Sequence, residues 1–77
     1  MLFVDQCDAA GWCLPSKLRE ICGEVPQQSE LGGFLARMVS RAISLIEYLA
    51  DAEECEPSLI DGIWDAVCFQ ANVAVNC

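Results

Sequence analysis

Six cysteines are the residues of this chain most able to do chemistry: Cys7, Cys13, Cys22, Cys55, Cys68 and Cys77. A thiolate can attack an electrophile, ligate a metal or join a second cysteine. Each use needs company that this sequence mostly withholds. A nucleophilic cysteine needs a neighbouring base or cation to lower its pKa, and the chain has no histidine. Cys22, close in sequence to Lys17 and Arg19, is the best placed. Structural zinc is usually held by C-x-x-C pairs and histidines, and neither occurs here. A disulfide framework would suit a small exported chain. The alternative is reduced thiols. In that case Cys22 and Cys68 act as small apolar core residues, while Cys55 and Cys77 are exposed.

Charge is the second resource. Glu47, Asp51, Glu53, Glu54, Glu56, Asp61 and Asp65 form a cluster with no base among them. A solvated turn between helices accounts for it, and acids after the turn favour the start of a following helix. Asp51, Glu53 and Glu54, however, fall at the end of a helix, where a negative charge costs a few tenths of a kcal/mol. That placement suggests a second role, a negative patch that steers a basic surface into register. Arg37 and Arg41 stand one turn apart on a helix and make up half of the chain's four basic residues. They read as a solvated pair, as partners for acids of a second protomer, or as a clamp for a partner's carboxylate. Trp12, between Gly11 and Cys13, suits either an interface anchor or a core cover. Trp64 falls on an apolar helical face and reads as core.

The motifs of common enzymes are missing. There is no nucleophile elbow, no phosphate-cradling loop and no dinucleotide fingerprint. The acidic spacing does not match a calcium loop. The expectation is a protein without catalytic residues, cofactor or metal.

The elements that must position these residues are helical. Leu31, Leu35, Met38, Ala42, Leu45, Leu49 and Ala52 alternate steps of four and three, a heptad seam. Phe34, Val39, Ile43 and Ile46 widen it into a face broad enough for more than one neighbour. Ser29 is the expected N-cap. The Gly32-Gly33 pair predicts an ordered start nearer Phe34. A second helix begins near Pro57 or Ser58, where Ser58-Leu59-Ile60-Asp61 matches a capping box, and carries Leu59, Ile60, Ile63, Trp64, Val67, Cys68, Ala71 and Ala74 or Val75 on one face. Gly62 and Ala66, four apart, leave room for a close backbone approach. The short connection near Glu53 to Glu56 makes the two helices antiparallel neighbours. Upstream, Pro15 to Cys22 reads as a short helix ended by Gly23. Asp5 to Gly11 reads as a turn, and Met1 to Val4 as an edge strand or an arm. The predicted fold is all-α: residues 1–77 form a single domain, with an arm and short helix over 1–29 and an antiparallel helical hairpin over 30–77. The leftover apolar width predicts that two hairpins pair into a four-helix dimer.

Bulk composition agrees with a folded, associating protein. The hydrophobic fraction is 55% and the net charge is −8; the mean hydropathy is +0.35. A chain of 77 residues buries only about 60% of its unfolded surface, so so apolar a composition favours a standing interface. The acidic balance argues against direct binding of nucleic acid or anionic membrane, and for a protein partner with a basic surface. No stretch reads as a membrane span, and the first residues lack a basic start and apolar run of a secretory signal. The simplest location is therefore cytoplasmic. An exported, disulfide-stapled helical effector is the alternative.

From Gly23-Glu24-Val25-Pro26 through the Leu31–Ala52 helix, the acidic turn and Trp64, the chain resembles short two-helix proteins of unassigned function from proteobacteria and their phages. In kind it is similar to phage-made inhibitors of bacterial machinery, anti-CRISPR proteins among them, which are short, acidic and non-catalytic. That resemblance implies a small inhibitor or regulator that occupies the surface of a larger protein. In a sharper variant the acids mimic nucleic-acid charge, so that binding would fall steeply with salt.

Overall fold

The computed structural model describes residues 1–54 and 56–76. Four helices follow one another: α1 (Phe3–Ala9), α2 (Ser16–Cys22), α3 (Glu30–Asp51) and α4 (Pro57–Val75). Helices α3 and α4 form the predicted antiparallel hairpin. Helix α2 packs on α4, and α1 packs on α2. Among the described residues there is no strand, only a single bridge between Leu2 and Pro26.

Two expectations for the N-terminal region give way here. Phe3 and Val4 belong to α1 rather than to a strand or arm, and most of the expected turn from Asp5 is helical. The reason is the spacing of Phe3, Val4 and Cys7, which places three buried side chains on one face. The segment is also clipped down by its backbone. The Phe3 amide donates to the Val25 carbonyl at 2.9 Å, and the Gln27 amide donates to Met1 at 3.0 Å. Gly11, at φ +80°, then turns the chain toward α2.

Helix α2 buries Leu18 and Cys22, one turn apart. It ends at Gly23 as expected, with that residue in a right-handed conformation (φ −61°) rather than a left-handed one. The ion pair between Arg19 and Asp8, with contacts of 2.7 and 2.9 Å, joins α2 to α1. The Arg19 guanidinium holds the Asp8 carboxyl below its usual range, first by hydrogen bonding. A depressed carboxyl stabilises the fold above its unfolded pKa, and that contribution is lost as pH falls through the folded value. Asp8→Asn should therefore lower the thermal midpoint slightly at neutral pH, and the difference should shrink at strongly acid pH as the carboxyl takes up its proton. Paired melts at the two pH values check this.

Helix α3 opens as the sequence predicts, with the Ser29 hydroxyl accepting from the Gly32 amide at 2.9 Å. It does not start late at Phe34, because Gly32 is packed rather than frayed. A Cβ on Gly32 would collide with the Pro26 carbonyl oxygen and lie 2.7 Å from that of Gln27. The glycine lets the 23–29 loop cross directly over the helix. Helix α4 starts at Pro57, one of the two expected positions. Glu56 is the N-cap and Pro57 the first helical residue, so the Ser58–Asp61 capping box does not form.

The core runs through all four helices. Phe3, Cys7, Leu18, Cys22, Leu35 and Val39 are completely enclosed. The heptad seam is correct for Leu35 and Ala42 but not for Leu45, which is exposed; Val39 takes the core place instead. The buried stripe of α3 is Gly32, Leu35, Val39 and Ala42. This stripe is rotated from the predicted seam, and that rotation leaves a second apolar face open.

Candidate functional site: an open cleft between the long helices

On α3, Phe34, Met38, Arg41 and Leu45 recur at steps of four and three, beside the core stripe. On α4, Ile63, Ala66 and Gln70 do the same. Together they line a cleft of about 390 Å³, with Arg37 on its α3 rim. A second depression of about 250 Å³ shares Phe34 and Gln70 with the first and extends the apolar surface to Phe69 and Val73. Large apolar side chains stand open along this face: Phe69 is 71% exposed, Val73 54% and Leu45 46%. Tyr48 and Leu59 are exposed as well. On a monomer a cluster of this kind marks an interaction surface.

The cations of the cleft are the two that the sequence singled out. Arg37 and Arg41 are exposed, and among the described residues neither makes an ion pair, in contrast to Arg19. The Arg37 guanidinium lies along the helix beside Gly33, where an added Cβ would come within 3.7 Å of its Nη1. An apolar floor with unpaired guanidinium groups on its rim can take an apolar surface that carries carboxylates.

The acidic residues are placed elsewhere. Glu47, Asp51, Glu53, Glu54, Glu56, Asp61 and Asp65 are all exposed around the α3–α4 turn and along the outer side of α4. None of their side chains is hydrogen-bonded or ion-paired among the described residues. Asp61 and Asp65 lie beyond the first turn of α4, so they add little to its dipole. Glu53 takes a left-handed conformation (φ 58°), which costs about 1 kcal/mol in a non-glycine residue and closes the turn. Its amide and that of Glu54 donate to the Ala50 and Leu49 carbonyls.

Trp12 and Trp64 are half-buried and packed against the core, so Trp12 serves as cover. The thiols of Cys7, Cys22 and Cys68 are buried as small apolar groups, while Cys13 is exposed; all four are unpaired. Burial raises the pKa of all three, that of Cys22 up to about 11. Such thiols are protonated and weakly nucleophilic. The expected exposure of Cys55 and Cys77 lies outside the described residues.

Phe69 and Val73 belong to the open face but escaped sequence reasoning. The signal was present: both are apolar yet fall off the stripe assigned to the core side of α4. No helix among the described residues is long and apolar enough to cross a membrane. Comparison of the chain with protein families, with characterised proteins and with solved structures yields no match.

Proposed function

We propose that this protein is a small, non-catalytic protein-binding module that regulates or inhibits a larger protein by occupying its surface. The observation that carries the reading is the open α3/α4 cleft. Its apolar floor would supply affinity through desolvation, and Arg37 and Arg41 would fix the register of acidic groups. The acidic turn adds a separate negative pole that steers a basic surface toward the molecule, within a Debye length of about 8 Å at physiological salt.

The test is a photo-crosslinking amino acid placed at Phe69, with a second placed at exposed Glu20 on α2 as the control. Adducts with a polypeptide, whether a second copy or another chain, are expected from position 69 and not from position 20. Phe69→Asp should preserve the helical circular dichroism, because the side chain is largely outside the core, and should abolish binding. Absence of adducts from position 69 in the cells that make the protein would overturn the reading.

A further inference from the structure

We infer that the α3/α4 face is closed by a second copy of this chain, with α3 antiparallel to α3 of its mate across a two-fold axis near Ser44. The inference rests on the reading of this face as a protein interface and names its occupant.

The surface area points to a missing partner. The chain exposes 5080 Å². A monomer of 8.4 kDa is expected to expose roughly 4,600 Å² from the scaling of area with mass. The excess, roughly 500 Å², is of the same order as the ~800 Å² that each partner contributes to a standard interface. On the α3/α4 face, Phe34, Leu45, Phe69 and Val73 stand open.

The charges are self-complementary. Arg37 and Asp51 are two heptads apart on α3, so they occupy the same edge of the helix. Both are exposed and equidistant from Ser44. A two-fold axis there sets Arg37 of each copy opposite Asp51 of the other, giving the pair twice. Arg37, which lacks a carboxylate within one chain, thus gains one from the next.

Long-range repulsion selects the antiparallel arrangement. Each copy carries −8, with its acids concentrated at one end of the hairpin. A parallel pair would stack the two acidic turns. In the antiparallel pair centred on Ser44 they lie on opposite sides of the axis, about 27 Å apart along the helix at a rise of about 1.5 Å per residue. That is more than two Debye lengths at 0.1 M salt, so repulsion between the turns is largely screened. On α4, Gly62 has open space around its Cβ position and Ala66 is exposed, so the second hairpin can approach closely.

Sedimentation equilibrium over a range of concentration and salt is the test, with circular dichroism confirming that each variant folds. The wild type should show twice the chain mass. Arg37→Asp and Asp51→Arg should each raise the dimer dissociation constant about tenfold or more, because one change inverts two symmetric contacts. The combined variant should recover most of the affinity. A monomeric mass at every concentration overturns the inference, and so does a dimer indifferent to the single reversals or not rescued by the double. A monomer whose position-69 crosslinker still captures a different polypeptide overturns the second copy and keeps the interface. A monomer with no adduct removes both.

Discussion

Gly32→Ala is expected to lower the thermal midpoint, by up to roughly 15 °C, although alanine is the better helix former. The added methyl group has no place to go. It would run into the Pro26 carbonyl oxygen and approach that of Gln27, and both obstacles are backbone. The same loop is held from its other side by the bridge between Leu2 and Pro26 and by the amide of Gln27 on Met1. It therefore cannot retreat without releasing the N-terminal segment. Overpacking of this kind costs about 1–3 kcal/mol, against a propensity gain of about 1. Gly33→Ala provides the contrast. Its Cβ would make only ordinary contact with the flexible Arg37 guanidinium, so the propensity gain should survive and the midpoint should rise. Thermal melts of the two variants, adjacent in sequence and opposite in sign, check the account. A Gly32→Ala midpoint equal to or above wild type would contradict the close crossing of loop and helix.

Those two glycines also show where sequence reasoning stopped. Helix α3, the hairpin and the Ser29 cap were legible because they depend on local period and local hydrogen bonding. The packing of Gly32 was not, because it depends on a loop whose path is set by the N-terminal residues. The same holds for the seam. A heptad pattern locates an apolar face but does not say which part of a broad face meets the core. Packing of α3 on α4 and into the shared core put Val39 in the buried stripe and left Leu45 and Phe34 in the cleft. The site was half legible. Arg37 and Arg41 stood out by type and spacing, and the structure places them on one rim. The acids stood out as well but remain solvated at the turn, while Trp12 joins the core cover. The capping box failed because Pro57 fixes the backbone for the first helical position, which moved the cap back to Glu56.

Phe3→Ala should be the most damaging single substitution in the chain, abolishing cooperative unfolding at room temperature or bringing the midpoint close to it. Phe3 is completely enclosed, and truncating such a ring costs about 3–5 kcal/mol. A core of this size supplies only roughly that much in total. The loss is not confined to packing. With the ring gone, the bridge at Leu2 and the Phe3 amide bond to Val25 hold down a segment that has little left to bury. The 23–29 loop would then lose one of its walls, and Gly32 the surface that the loop presses against. Near-ultraviolet circular dichroism and the emission of Trp12 should report the change, since Trp12 packs on the same cluster. Phe69→Ala removes an identical ring from an exposed position and should shift the midpoint by no more than about 0.5 kcal/mol in equivalent stability. If both substitutions behave alike, residues 1–4 are an arm as their sequence suggested. If only Phe3→Ala unfolds the protein, the N-terminal segment is one wall of the core, and the ring of Phe69 lies outside it.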